Sequence, residues 1–448
     1  MQFRQDLANV VSYRSFRTKV ECMLLRYVVP HLAKTRPNIV AFSEDIGLMT
    51  LATGSRGAAA RSIFREPVCA PPPCGALGAL GAITAAYSRP IDAYRARFPG
   101  MGSLVAGFVG ATDTFVRGWM RTFADLARRY DVYMIGSNAQ APFRRSTAPS
   151  DIAAFRDPDR PSPDGVYVAT RGAAYNEAFV WGPRIVHRHR PRPLRNLVAS
   201  NRKVPLTALE QGLGLSAEPT SGPAARANLR PYHVPGTRAR LGIATSLPAF
   251  EYGSPFGKPL PAGVDPCSDV ASYYMRCLDE LGANVVIQDE ANPGEWATDA
   301  DSGTWQPLEW MGSTWRAVAD RTVSFDYEVT PFLVGNLADL PFDGQTAIAQ
   351  RAAASGRGCH FIGNARFEPN PPESDPASAK PYAGAKRQFL AVAPWVIKDA
   401  PRAKLRATAS KLLAGSGSPL EDDYVETAAI ADLPYPVDRT RPACAKPR

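Results

Sequence analysis

The first regular pattern along the chain is an apolar stripe that repeats every three or four residues. Its members are Phe16, Val20, Met23, Leu24, Tyr27, Val28 and Leu32. This spacing predicts an amphipathic helix over residues 14–34, which Pro37 terminates. A second stripe runs from Phe115 to Tyr130 and predicts another helix, with Asp113 as its N-cap.

Short apolar runs follow these helices and predict buried strands. They lie at residues 38–42, 132–137, 175–181, 240–246, 282–288, 332–336, 359–364 and 389–395. A further helix is predicted over residues 272–281. Residues 46–112 predict irregular helices and loops, and residues 144–164 and 182–209 predict loops. Because helices and strands alternate along the chain, the predicted fold class is α/β.

Composition favours one large folded domain. The chain has 448 residues, of which 45% are hydrophobic and 21% charged, as in ordinary globular proteins. No linker separates halves of different composition, so we expect a single domain over residues 1–448. Its core is expected at about 15–365, with a C-terminal extension at about 366–448.

Hydropathy and cysteine spacing predict the cellular compartment of the protein. No apolar run reaches the roughly 18–20 residues of a membrane span, and the N-terminus lacks the apolar core of a signal peptide. Seven cysteines without regular spacing argue against a disulfide framework and favour a reducing compartment. We therefore expect a cytoplasmic protein without membrane contact, and no motif predicts a metal or cofactor.

The positive charge is concentrated in one segment. The net charge is +10, from 52 Lys and Arg against 42 Asp and Glu. No acid lies between Ala178 and Leu209, a stretch that contains Arg184, Arg188, Arg190, Arg192, Arg195, Arg202 and Lys203. No nucleic-acid motif accompanies these residues, so nucleic acid is an unlikely partner. The segment 184–203 is expected to be a solvated surface, a subunit contact, or a basic lip that attracts acidic substrates.

Polar residues at strand ends are the candidates for chemistry. Glu44 follows the first apolar strand, Lys203 and Glu210 lie in NRKVPLTALEQGLGL, and Ser246 ends RLGIATS. Ligands of open α/β sheets bind at the carboxyl ends of strands. A carboxylate, an ammonium and a small nucleophile at such an edge would suit acyl transfer.

In this order the motifs resemble those of the carbon–nitrogen hydrolase (nitrilase) superfamily. The matching segments are NIVAFSED, AAYNEAFVWGP, NRKVPLTALEQG, LGIATSLPAF, SYYMRCLDELGANVVIQDEANPG and DGQTAI. The resemblance covers about residues 15–350. It implies a four-layer αββα sandwich, here with long insertions, and a homodimer or larger homo-oligomer.

The resemblance also implies roles for individual residues. Glu44 would be the general base, Lys203 would stabilise the oxyanion, and Ser246 would attack a small amide or nitrile to form an acyl-enzyme. Glu210 would support this geometry, and the backbone N–H of Leu247 could assist the oxyanion. The resemblance also places Asn176 among the supporting residues of the site; the alternative is that Asn176 only satisfies backbone groups of its strand.

One departure from the family pattern leaves alternatives open. The position of the nucleophilic cysteine is occupied by Ser246, and a hydroxyl is far less acidic than a thiol. The alternative function is therefore a catalytically impaired protein of the same fold that binds a small amide or carboxylate, or scaffolds an assembly. Cys267 is a second candidate nucleophile, although Pro266 beside it is disfavoured inside a central strand.

Overall fold

The computed structural model of the chain describes residues 1–4, 7–65, 75–159, 164–292, 311–337, 340–342, 344–355, 387–393 and 424–443. Helices and strands alternate through these ranges, which confirms the α/β class. The strands are β1 (Phe3–Arg4), β2 (Ile39–Ala41), β3 (Tyr133–Gln140), β4 (Phe143–Ser146), β5 (Val166–Ala169), β6 (Tyr175–Trp181), β7 (Leu197–Arg202), β8 (Tyr232–His233), β9 (Arg240–Ile243), β10 (Val285–Ile287), β11 (Tyr327–Thr330), β12 (Leu333–Leu337), β13 (Leu340–Phe342), β14 (Ala347–Gln350) and β15 (Phe389–Val392).

Helices surround these strands. The α-helices are Tyr13–Met23, Ala58–Arg65, Gly75–Ala86, Ser88–Arg97, Val105–Gly110, Thr112–Phe115, Arg121–Arg129, Pro149–Phe155, Ala208–Gly212, Gly222–Asn228, Val270–Glu280 and Arg316–Ala319. Turns of π-helix are Leu24–Val28, Val116–Met120 and Met311–Trp315. Short 3₁₀ helices are Leu7–Val10, Val29–His31, Leu48–Ala52, Arg192–Leu194, Leu247–Phe250 and Pro266–Ser268.

Two sheets form the centre of the molecule. The smaller has the order β2-β3-β6-β7, and the larger has the order β15-β14-β11-β10-β9-β8. In the larger sheet β9, β10 and β11 run parallel, with Val285 of β10 in register with Leu241 and with Tyr327. The carboxyl ends of these three strands therefore lie at one edge.

The two sheets pack face to face between layers of helices. Their inner faces share one apolar core, to which the smaller sheet contributes Ala41 and Val180 and the larger sheet Ile243 and Ile287. Neighbouring residues in the strands point outward, since side chains alternate along a strand. One outer face packs against helices that include Arg121–Arg129. The other packs against Val270–Glu280, which gives the expected four-layer αββα sandwich.

Several local predictions need correction. Residues 144–164 are not simply a loop, because they contain most of β4 and the helix Pro149–Phe155. The basic segment within 182–209 likewise contains β7, which pairs with β6 and leaves its outer residues partly exposed. An edge strand of this kind lacks the continuous apolar run of a buried strand. The predicted strand at 359–364 lies outside the described residues.

Residues on both sides of the expected core also join the layers. β1 pairs with β12, and β15 pairs with β14 at the edge of the larger sheet. Residues between 424 and 437 pack against the inner core, among them Tyr424. The first and last described segments of the chain are therefore built into the same sandwich. No helix in the described ranges is both long enough and apolar enough to cross a bilayer.

Candidate active site

Lys203 is the buried centre of the candidate site. It follows the last residue of β7, and its backbone N–H donates to the carbonyl of Asn176 at 2.8 Å. Its side chain is only 2% exposed. The ammonium contacts Glu44 Oε1 at 2.7 Å and Glu210 Oε2 at 2.8 Å. A single cation is thus shared by two carboxylates that the sequence places far apart.

Asn176 holds the two carboxylates in place. Its side-chain Nδ2 donates to Glu44 Oε1 and to Glu210 Oε1, each at 2.7 Å. Glu210 is also held by its own helix, because its Oε2 accepts a hydrogen bond from the backbone N–H of Thr207 at 2.8 Å in a capping box. The Asn176 side chain thus bridges the two acids rather than only satisfying backbone groups of its strand.

A short segment after β10 joins Glu44 to Ser246. The N–H of Ala291 donates to Glu44 Oε2 at 3.2 Å. Ser246 N–H donates to the carbonyl of Asp289 at 3.0 Å, and Ser246 Oγ donates to Asn292 Oδ1 at 3.2 Å. Residues 289–292 therefore bring the serine and the glutamate to the same edge of the sandwich.

Ser246 occupies a strained backbone conformation at the end of its strand. Its φ is 55° and its ψ is −116°, a region that non-glycine residues rarely adopt and that clusters at functional sites. Leu247 then begins the 3₁₀ helix Leu247–Phe250. The first N–H groups of a helix have no partner within it, so the Leu247 N–H is free of intrahelical bonds.

The surroundings of Lys203 shift the pKa values of the two glutamates in opposite directions. Burial alone would lower the pKa of Lys203, but the neighbouring Glu44 and Glu210 carboxylates raise it, which keeps the ammonium charged. Burial would raise the pKa of Glu210, but the charge of Lys203 outweighs burial and lowers the pKa of this carboxyl group. Burial raises the pKa of Glu44 well above its usual range. Two carboxyl groups with pKa values driven apart are typical of acid–base sites.

Sequence reasoning missed several acids that surround this centre. Burial raises the pKa of Asp45 to about 7 and that of Glu290 to about 7. Glu290 is also close to Ser246, whose hydroxyl lowers this pKa. Asp289 accepts a hydrogen bond from Thr245 Oγ1 at 2.8 Å. The sequence signal for two of these acids was the run QDEAN directly after a buried strand.

Cys267 is excluded as the nucleophile. It forms a disulfide with Cys277, with the two Cα atoms 4.8 Å apart, so it has no free thiol. The ten-residue separation places the pair at a helix and the short turn that precedes it. A disulfide is therefore present, although the cysteine spacing argues against a disulfide framework. The reducing, cytoplasmic compartment stays a prediction, and this disulfide counts against it.

The same disulfide bears on metal binding. In the described ranges, one group of possible ligands has atoms within 4.8 Å of one another: Asp265, Cys267 and Glu280. The sulfur of Cys267 is already bonded to Cys277. Because the thiolate is the form that binds metals, this group does not make a metal centre.

The basic segment is only partly a free positive surface. Arg184 pairs with Asp131 at 3.3 Å, Arg192 pairs with Asp125 at 2.9 Å, and Arg202 lies 3.6 Å from Glu177. Acids from other elements therefore balance several of its cations. Its role as a subunit contact or as a lip for substrates stays a prediction.

No protein-family model matches the chain, and no curated protein matches its sequence. Similar solved structures do exist. The match to a carbon–nitrogen hydrolase from Helicobacter pylori G27 covers 88% of this chain and 82% of that chain, with 11% identity and a TM-score of 0.40. A mutant amidase from Nesterenkonia sp. AN1, with acrylamide added at its active site cysteine, is 13% identical over 61% of this chain and 78% of that chain, with a TM-score of 0.31.

A further structure from Nesterenkonia AN1 is a mutant amidase of the nitrilase superfamily. It is 12% identical over 60% of this chain and 77% of that chain, with a TM-score of 0.31. The superfamily that the sequence motifs resemble is thus also found among the similar solved structures. At these identities and TM-scores, no residue role is transferred from those proteins to this chain.

Proposed function

We propose that the chain is a carbon–nitrogen hydrolase of the nitrilase superfamily, which cleaves a small amide or nitrile through an acyl-enzyme. The observation that carries this proposal is the buried contact of Lys203 with Glu44 at 2.7 Å and with Glu210 at 2.8 Å. Glu44 and Ser246 both form hydrogen bonds with residues of one short segment, 289–292. Burial of an ion pair is costly, so a pure stability role is a weak explanation for it.

The proposed reaction on an amide begins at Ser246. Glu44 accepts the hydroxyl proton as the Oγ–carbon bond forms, and the carbonyl oxygen becomes an oxyanion. Lys203 and the Leu247 N–H stabilise that charge. Collapse of the intermediate breaks the carbon–nitrogen bond, and Glu44 returns the proton to the departing ammonia or amine. Water, deprotonated by Glu44, then hydrolyses the ester, and the reaction as written uses no cofactor.

The chemistry of Ser246 explains why its surroundings are unusual. An isolated carboxylate of ordinary pKa is a weak base for a hydroxyl, and basicity increases as the pKa rises. Burial raises the pKa of Glu44, and a strained backbone presents Ser246 at the strand end. These two features together support a serine in the role that the family gives to cysteine.

We expect Glu44→Gln to lower kcat/KM for ammonia release by about 10²–10⁴-fold, the usual contribution of a positioned general base. The amide keeps the shape of the side chain but cannot accept the proton. The measurement is ammonia release from a panel of small amides and nitriles. Glu177→Gln is the matched control, because Glu177 is a partly buried acid of β6 whose partner is Arg202. Equal rates for wild type and Glu44→Gln would remove Glu44 from the proposed reaction.

The pH profile of the wild type gives a second readout of the same prediction. A base must be unprotonated, and burial raises the pKa of Glu44 above its ordinary value. Activity should therefore fall as the pH drops through this raised pKa, at a higher pH than for an ordinary carboxyl group. An acid limb at the ordinary pKa of a glutamate, near 4.3, would contradict this account.

A specific contact favours a second candidate function. Ser246 Oγ donates to the amide oxygen of Asn292 at 3.2 Å, which is a neutral acceptor rather than a base. In this candidate the chain keeps the fold and binds a small amide or carboxylate without turnover. High amide hydrolysis by the wild type would exclude it. Assembly into a homodimer or larger oligomer stays a prediction, which size-exclusion with light scattering would test.

A further inference from the structure

Glu328 is a buried carboxylate that the proposed reaction does not use. It lies on β11, is fully buried, and neither of its carboxylate oxygens has a hydrogen-bond partner. Its neighbour Tyr327 belongs to the core between the sheets, so Glu328 faces the outer layer of helices. An unpaired buried carboxylate is costly and rare, which makes it a candidate for ligand binding.

Gln288 and Glu290 extend this acceptor surface toward Ser246. Gln288 Nε2 donates to Glu290 Oε1, and also to Ser313 Oγ at 2.8 Å in the outer layer. The other oxygens of these side chains, Gln288 Oε1 and Glu290 Oε2, are buried without a partner. A buried carboxylate can take up a proton when it lacks a partner, but the neutral amide of Gln288 cannot. The unpaired Gln288 Oε1 is therefore an independent sign that a hydrogen-bond donor is missing here.

The strand register gives the length of this surface. Val286 is the register partner of Glu328, and Glu290 bridges to Phe332 four residues further along both strands. Four residues of β-strand span about 13 Å. Glu290 lies at the Ser246 end, and Glu328 lies at the deep end. The side chains of Ser246 and Glu328 extend toward each other, so the distance between their oxygen atoms is shorter and matches the length of a small linear molecule.

In the described part of the chain, the cations near this surface are bound elsewhere. The Arg316 guanidinium lies 3.9 Å from the centre of the Tyr252 ring and donates to Asp320 and to the carbonyl of Ser254. Arg276 donates to the carbonyls of Tyr252, Lys258 and Thr322 and to Ser254 Oγ. Burial, and then the charge of Glu290, raise the pKa of Glu328, with no cation acting against them.

We propose that Glu328 binds the positively charged end of the substrate, a primary ammonium group, and that Gln288 Oε1 accepts from the same group, while the substrate's amide carbon lies at Ser246 beside Glu290. The assignment rests on the proposed function for the position of the amide. Three unpaired acceptor oxygens are available at this end, namely both carboxylate oxygens of Glu328 and Oε1 of Gln288. An ammonium supplies three N–H donors and a charge, which satisfies acceptors that a neutral alkyl end would leave unpaired. The enzyme would then prefer ω-amino amides to neutral or acidic ones.

The test is calorimetric binding to the full chain carrying Ser246→Ala, which prevents turnover. The probes are 6-aminohexanamide, its neutral isostere heptanamide, and the acidic adipic acid monoamide. We expect 6-aminohexanamide to bind about tenfold or more tightly than heptanamide, with the acid weakest. Addition of Glu328→Gln should bring the first two affinities close together. Asp326→Asn, which removes a partly buried acid just before β11, should leave the ratio unchanged.

The outcomes separate this inference from the proposed function. Equal affinities, tighter binding of heptanamide or of the acid, or no binding of any probe would overturn the ammonium site. An unchanged ratio in Glu328→Gln would overturn it as well. Preferential binding of 6-aminohexanamide without ammonia release by the wild type would support the site and contradict the proposed hydrolysis.

Discussion

Ser246→Ala should abolish amide hydrolysis, with kcat/KM lowered by about 10⁴-fold or more, as when an acyl-forming nucleophile is removed. The side chain is small and its hydroxyl donates to Asn292 at 3.2 Å, a contact whose loss should leave the fold unaffected. The measurement is ammonia release under saturating and limiting substrate, together with urea unfolding. Loss of activity at unchanged stability is the expected result. Full activity in this variant would exclude Ser246 as the nucleophile.

Ser246→Cys is the informative partner of that variant. A thiol with a pKa near 8.5 is far more acidic than a hydroxyl and is intrinsically a better nucleophile. The positive charge of Lys203 would favour the thiolate further. We therefore expect this variant to retain hydrolysis, in contrast to Ser246→Ala. If the wild type were inactive and Ser246→Cys active, the chain would be a binding protein whose remaining site is intact.

Lys203→Met should affect both activity and stability. It leaves Glu44 and Glu210 buried at the same place without their shared cation, and breaking a buried pair costs about 3–5 kcal/mol. It also removes an oxyanion donor, which lowers kcat by about 10²–10³-fold. Urea unfolding and ammonia release measure the two effects.

The control for Lys203→Met is Arg188→Met, which removes an exposed cation from the same basic segment. It should change the free energy of unfolding little, because exposed charges contribute little to stability. If Lys203→Met were as stable as Arg188→Met, the buried contacts of Lys203 would not have the strength that the structure assigns to them.

Much of the site could be predicted from local sequence patterns. The order of the motifs, through their resemblance to the nitrilase superfamily, predicts that Glu44, Lys203 and Glu210 act together. The structure places all three in direct contact. The bridge that the Asn176 side chain makes between the two carboxylates could not be predicted, because it depends on how the strands pair rather than on the segment around Asn176.

The remaining features depend on tertiary contacts that no local pattern contains. Residues 289–292 meet Glu44 only because the two sheets pack together, across 247 positions of sequence. The disulfide of Cys267 likewise depends on how a loop approaches the helix that contains Cys277. Glu328 was overlooked because a single acid in an apolar strand, VSFDYEVTPF, resembles a partly exposed position until the register is known.

The proposed covalent step can be observed directly by intact-mass analysis after incubation with an activated ester, p-nitrophenyl butyrate. The account predicts one added butyryl group on the wild type, located by peptide mapping on the peptide that contains Ser246, and slower to form in Glu44→Gln. The same adduct should be absent from Ser246→Ala. A wild type that never carries the adduct, or a butyryl group that persists in Ser246→Ala, would contradict the account.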